Sequence, residues 1–306
     1  MHHLAAAVRP ITLARSPRLS EHAGAEILIA SETLQYTGSF KFRAAYNVVS
    51  KTPKDHFYTA SSGNFGQALA YSCSLLGKRC SVVMPATSSM TKVEAVRAYG
   101  GEVDLIDISK ISRAERIEEL AKQYPDAYFA SPFDDDLVIE GNATIADELF
   151  ASGEEFDVVV CPIGGGGLAS GLVNGLRGHE SHVEVVGAEP LLANDAARSL
   201  REGKLIANET EPQTIADGTR TVSLGIRNWA ILQHGLSGII EVEECHIREG
   251  VRLLYSLANL KCEPTGALSL GAVLREPKRF EGRKVCCFVS GGNVDASLYA
   301  ELITAE

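Results

Sequence analysis

The sequence contains no CxxC pair and no HxxxH or HExxH spacing, so neither a zinc site nor a dithiol redox centre has local support. It has no run rich in lysine and arginine. With a formal net charge of -10, that argues against nucleic acid and other polyanions as partners. No apolar stretch approaches the ~20 residues that cross a bilayer, so no membrane partner is expected. MHHLAAAVRP has too short an apolar run and too little flanking charge to read as a signal peptide. There is no repeat of fixed period and no low-complexity linker. The glycine-rich stretches match neither GxGxxG followed by an acid about twenty positions on, nor a loop ending in GK[ST]. Seven cysteines, odd in number and mostly inside apolar runs, read as reduced core residues of a cytoplasmic protein.

What is present is ordinary in bulk and informative in order. Over 306 residues, 45% are apolar and 22% charged, enough for a sizeable core in one large domain or two interleaved ones. AEILIA (25–30), FYTA (57–60), CSVVMP (80–85) and EVDLID (102–107) read as strands, with helices over 67–76, 87–100 and 113–123. The second half repeats the alternation: VVVCPI (158–163), a glycine run and a helix, VEVVGAEP (183–190), a helix near 247–257, KVCCFVSGG (284–292) and a closing helix. Alternation with short connections predicts an α/β fold with open, mostly parallel sheets flanked by helices. VVVCPI and VCCFVS are continuously apolar, as central strands buried on both faces must be.

Four loops leave such strands. Gly164, Gly165, Gly166 and Gly167 follow VVVCPI directly and precede a helix; without Cβ atoms, successive backbone N–H groups can converge on an anion at the helix N-terminus. The same run also serves as a plain tight turn. Ser61, Ser62, Gly63 and Asn64 combine hydroxyls, an amide and helix N–H groups that suit a carboxylate, or simply cap a helix. Ser290 and Gly291 end a buried strand. Lys41 stands among Phe40, Phe42, Ala44, Ala45 and Tyr46, so its amine is either a desolvated nucleophile or the head of an ordinary surface lysine. Parallel sheets collect ligands at the carboxyl ends of their strands. A lysine for an imine, a glycine cradle for a phosphate and a hydroxyl for a ring nitrogen together describe pyridoxal phosphate.

TGSFKFR, SSGNFGQA, PIGGGGLASG, EPTGA and SGGNVD, in that order, resemble the motifs of the second structural class (fold type II, tryptophan synthase beta-like) of pyridoxal phosphate enzymes, within it the serine/threonine dehydratase and serine racemase family. The resemblance implies a larger cofactor-binding domain from residues 1–52 and 138–306, a smaller substrate-side domain from 53–137, and the cofactor in the cleft between them. It implies that Lys41 holds the cofactor as an imine and moves the Cα proton, with Phe40 beside the ring and Asn64 on its 3'-oxygen. Gly164–Gly167 and the Leu168 N–H would take the phosphate and Ser290 the ring nitrogen, with Glu263 and Gly291 also at the cofactor. Ser61, Ser62, Gly63 and Asn64 would receive the substrate carboxylate. The implied reaction is dehydration of a serine- or threonine-like β-hydroxy amino acid to a 2-oxo acid and ammonia. Ser62, on the face opposite the lysine in this family, keeps racemisation open.

Glu189, the Ala193 carbonyl and Asp195 match the family's divalent-cation site, which suits magnesium or calcium; apart from the family, they are two solvated acids on a loop. The family also implies a homodimer. Departures are Phe65, where histidine is usual, and Glu140 and Asn142 in VIEGNAT. Phe65 either packs the helix start or favours a bulkier, more apolar β-substituent. Arg113 aligns loosely with an arginine near the substrate carboxylate. A β-replacement enzyme is disfavoured by TGSFKFR and SSGNFG, and a silent cofactor-binding protein by the full motif set. The chain stops soon after SGGNVD, so no amino-acid-sensing domain and no feedback control of that type are expected.

Overall fold

The structure is a computed structural model that describes residues 2–88 and 90–304. Met1, Ser89 and residues 305–306, which the leader reading and the helical readings touch, lie outside the described residues. Among the described residues the strands are β1 (Thr12–Arg15), β2 (Glu26–Ser31), β3 (His56–Ala60), β4 (Arg79–Pro85), β5 (Glu102–Ile106), β6 (Tyr128–Phe129), β7 (Val158–Pro162), β8 (Glu184–Pro190), β9 (Gly238–Val242) and β10 (Lys284–Val289). They form a six-stranded sheet, β1-β2-β10-β7-β8-β9, and a four-stranded sheet, β5-β4-β3-β6. Every pairing is parallel except edge strand β1, which runs antiparallel to β2 with Thr12 opposite Ser31.

Residue alternation along the central strands explains why both faces of the large sheet are covered. Ile27, Ile29, Val158, Val160, Cys287 and Val289 feed one core, while Leu28, Ala30, Val159, Cys161, Cys286 and Phe288 feed the other. Helices Glu244–Ala258 and Pro264–Arg275 cover the first face; Gly167–Gly178 covers the second. The small sheet is packed the same way, by helices Lys41–Lys51 and Asn64–Leu75 on one side and Arg113–Gln123 on the other. Six of the seven cysteines are buried and all are free thiols; Cys245 is exposed.

The α/β expectation holds, with local corrections. The stretch before AEILIA, which shows no strand pattern in the sequence, carries β1, whose TLAR is too short and polar to show alternation. β9, GIIEV, is a further strand that the sequence reading does not include. The helix expected over 67–76 starts earlier, at Asn64, because the SSGN turn feeds it directly. Helix Pro264–Arg275 begins inside EPTGA, with proline at its first position where a missing N–H costs nothing.

A buried ion triad ties the lysine helix to the rest. Arg43 is fully buried; its guanidinium donates to both carboxyl oxygens of Glu32 (2.7 and 3.0 Å) and both of Glu148 (2.7 and 2.9 Å). Glu32 follows β2 and Glu148 lies on helix Asp136–Ala151, so one side chain fixes three segments two residues from Lys41.

Candidate active site

A cavity of about 880 Å³ lies between the carboxyl ends of the two sheets, walled by Ala60 at the end of β3, Pro162 at the end of β7 and Ser290 after β10. Lys41 opens the helix Lys41–Lys51 and reaches into this space. Its Nζ donates to the Pro132 carbonyl at 2.6 Å and lies 5.0 Å from the Phe40 ring centre and 5.7 Å from that of Phe65. Burial lowers its pKa to about 8, with the Glu263 carboxylate pulling the other way. The loop that carries Lys41 is zipped to the loop after β10. Phe40 N–H donates to the Ser290 carbonyl (3.0 Å) and Gly292 N–H to the Gly38 carbonyl (2.9 Å). Phe40 stacks edge-on against Phe288.

The glycine stretch is polarised. The carbonyls of Gly165, Gly166 and Gly167 are taken by Gly225 and Asn228, by Ser170, and by Asn142, respectively. The N–H groups from Gly164 to Leu168 donate to no protein acceptor among the described residues. Five main-chain donors are therefore left at the start of helix Gly167–Gly178, beside the cavity. The reason for glycine is not only open donors. A Cβ on Gly165 would sit 2.2 Å from the Phe133 ring, one on Gly164 2.9 Å from Thr219 Cα, and one on Gly167 2.8 Å from the Phe133 carbonyl; Gly166 has φ +91. Gly165→Ala is expected to displace Phe133, costing about 1–3 kcal/mol of stability and weakening anion binding at the cradle. Thermal melts with and without phosphate check this; an unchanged melt and an unchanged response to phosphate would remove the close-packing argument.

Ser61, Ser62, Gly63 and Asn64 all line the cavity, half-buried. The hydroxyls do not cap the following helix: its N-cap is Gly63, and Ser61 Oγ only accepts from the Gly63 N–H at 3.4 Å. Ser290 Oγ is buried with no hydrogen-bond partner, an orphan polar atom at the cavity wall. Glu263 is buried at the mouth of helix Pro264–Arg275; both its carboxyl oxygens accept from Asn64 Nδ2. Burial and then the charge of Asp217 push its pKa up to about 8, against the Asn64 bond. A Cβ on Gly291 would lie 2.7 Å from Glu263 Oε1. A ring carrying an acceptor oxygen, a ring nitrogen and a phosphate fits these residues: orphan hydroxyl, amide donor and main-chain cradle.

The acid pair differs from its sequence description. Glu189 lies within β8, and Asp195 begins helix Asp195–Glu202; both are buried, not solvated. Glu189 accepts from the N–H groups of Ala196 (3.0 Å) and Ala197 (2.9 Å), and Asp195 from Leu224 N–H (3.0 Å) and Asn208 Nδ2 (2.8 Å). Burial raises both, Asp195 to about 7, and Asp195 raises Glu189 further. Ala193 is buried in the turn between them. No group of three or more His, Cys, Asp or Glu side chains positioned for a metal exists among the described residues, so a cation there would need main-chain and water ligands.

Of the three departures, Phe65 is buried and lines the cavity. Glu140 and Asn142 do not. Glu140 pairs with Lys51, and Asn142 Nδ2 holds the Gly167 carbonyl at 3.0 Å. Arg113 lines the cavity and pairs with Glu211 at 2.9 Å. Sequence reasoning misses Phe133 and Asn228, which pack and hold the glycine stretch, because nothing in SPFD or IRN marks a ligand site. Asn293 is visible inside SGGNVD, yet the sequence assigns it no role. Among the described residues no helix is long and apolar enough to cross a membrane.

Comparison with known proteins gives the family and the fold. Residues 4–291 match the family model described as pyridoxal-phosphate dependent enzyme. The chain is 35% identical over 292 residues to the beta-hydroxyaspartate dehydratase of Paracoccus denitrificans, covering 94% of this chain and 92% of that one. It is 34% identical over 287 residues to the serine racemase of Mus musculus, covering 90% and 84% respectively. The crystal structure of a threonine deaminase from T.th. superposes with a TM-score of 0.91 at 37% identity, over 96% of each chain.

Proposed function

Since this chain belongs to the pyridoxal-phosphate-dependent enzyme family, we propose that it is an ammonia-lyase, converting a β-hydroxy amino acid to a 2-oxo acid and ammonia. One observation carries the reading: residues with a desolvated lysine amine, a partnerless hydroxyl and five main-chain donors unpaired among the described residues line one cavity. Pyridoxal phosphate, when bound, supplies an electron sink for the Cα–H bond of an amino acid. The chain's own residues do the rest. Gly164–Leu168 would hold the phosphate through N–H groups, Asn64 would donate to the ring's 3'-oxygen, and Ser61, Ser62 and the start of helix Asn64–Leu75 would orient the substrate carboxylate. Lys41, once its amine is free, takes the proton from Cα and can return one to the departing β-hydroxyl. Water lost at Cβ is regained when the enamine product hydrolyses, so the net change is loss of ammonia.

Ser290 offers the ring nitrogen a neutral hydroxyl, which does not protonate it as a carboxylate would. Beside such a hydroxyl the bound cofactor would be a weaker electron sink, which would favour elimination over racemisation. Racemisation is the second reading, favoured by Ser62 in the cavity wall. A panel of serine, threonine, 3-hydroxyaspartate and β-aryl serines, assayed for ammonia and for inverted amino acid, separates the two. Ammonia from at least one member is expected. Inversion without ammonia would replace lyase by racemase, and no product from any member by a cofactor-loaded protein would sink both. If Phe65 selects for apolar bulk, β-aryl serines outpace serine and threonine.

The reading extends to a divalent cation at Glu189, the Ala193 carbonyl and Asp195, supported by two carboxylates that burial pushes up, with the charge of Asp195 raising Glu189 further. Asp195→Ala is expected to abolish any rise in melting temperature and activity on adding magnesium or calcium; a variant that keeps the wild-type response, or a wild type indifferent to chelator, counts against it. It further includes a larger lobe from 1–52 and 138–306, a smaller one from 53–137, a homodimer and a cytoplasmic location, the last supported by seven free thiols.

A further inference from the structure

Asn293 joins two parts of the cavity wall that are remote in sequence. Its Nδ2 donates to the Thr37 carbonyl at 2.7 Å and to Asn64 Oδ1 at 2.8 Å. A main-chain carbonyl can only accept, so the end of Asn293 facing Thr37 must be its NH2 group. The second hydrogen of that nitrogen meets Asn64, whose oxygen must therefore point toward Asn293. That leaves the Asn64 NH2 group aimed at Glu263, 2.9 and 3.1 Å from its two carboxyl oxygens, and at the cavity. Gly38 makes room for the arrangement: a Cβ there would lie 2.4 Å from Asn293 Oδ1, and its φ of +73 suits glycine. The anchor is fixed in turn by the backbone bonds between the 38–40 and 290–292 segments.

We propose that Asn293 is a positioning residue that sets the polarity of Asn64, forcing the Asn64 amide to act as a hydrogen-bond donor toward whatever occupies the cavity. The proposal rests on the reading of that occupant as pyridoxal phosphate. A donor at Asn64 selects an acceptor, the ring 3'-oxygen in its deprotonated form. An Asn64 amide turned over would present oxygen to oxygen and repel it. Asn293 acts here through Asn64, an amide whose two ends differ in charge.

The test is a double-mutant cycle on the full chain: wild type, Asn293→Ala, Asn64→Ala and the pair together, each titrated with pyridoxal phosphate by fluorescence and scanned for absorbance when loaded. Asn293→Ala is expected to weaken binding about tenfold, the loss of one productive hydrogen bond. It is also expected to move the absorbance maximum to the position seen in Asn64→Ala, a change that general loosening of the fold does not produce. In the Asn64→Ala background the Asn293 replacement should cost nothing more. Equal losses in both backgrounds, or a wild-type spectrum in Asn293→Ala, overturn the proposal. If Asn293→Ala fails to fold, Asn293→Asp keeps the size and replaces the donor by an acceptor; wild-type affinity and spectrum in that variant also overturn it. Failure of the wild type itself to bind pyridoxal phosphate would instead remove the functional reading on which the proposal stands.

Discussion

Lys41→Ala is expected to lower turnover by at least about 10²–10⁴-fold, the range for losing a positioned acid–base group, and to leave the cavity and the fold intact. The amine reaches the cavity from the first residue of its helix and bonds only a carbonyl, so its removal disturbs no ion pair. Its depressed pKa gives a second signature. Capture of pyridoxal phosphate needs the free amine, and the fraction free rises about tenfold per pH unit below the pKa. With burial holding that pKa to about 8, the capture rate should climb up to pH 8 and flatten above it. A rate that keeps climbing toward the ordinary lysine range would mean the amine is solvated. Stopped-flow mixing of cofactor-free protein with pyridoxal phosphate from about two pH units below to about two above that pKa reads this out.

Arg43→Ala is expected to cost about 3–5 kcal/mol of stability, because it strands Glu32 as a buried, uncompensated acid. Glu32 is already pushed up by burial and held down by Arg43. Removing the arginine therefore forces the carboxyl to take a proton or the segment to move. Arg43→Lys keeps a charge but loses the planar fork that meets two carboxylates at once, so its loss should be intermediate. Urea denaturation measures both. A loss below about 1 kcal/mol in the alanine variant would show that the triad is solvated and worth no more than a surface pair.

The parallel architecture was legible because the strands that make it are continuously apolar: VVVCP and KVCCFV could be buried on both faces and nowhere else. β1 was not legible, since TLAR is four residues with two exposed ones at its end, and the short apolar run in GIIEV did not mark β9. The cavity-wall loops could be found because each joins a buried strand to a helix, and their spacing along the chain fixed which strand ends they leave. Side-chain polarity inside the cavity could not be found that way. The direction of the Asn64 amide depends on Asn293, 229 positions away, and the need for glycine at 165 depends on Phe133. Burial of Asp195 was likewise invisible, and Glu189, although inside VEVVGAEP, reads with it as a loop acid where β8 carries it into the core.

Borohydride reduction of the protein loaded with pyridoxal phosphate, followed by peptide mass mapping, decides whether the amine at the cavity is the one that holds the cofactor. A phosphopyridoxyl group on Lys41 and on no other lysine is the predicted outcome. Stable label elsewhere with Lys41 unmodified, or no label at all, would refute the functional reading of this cavity.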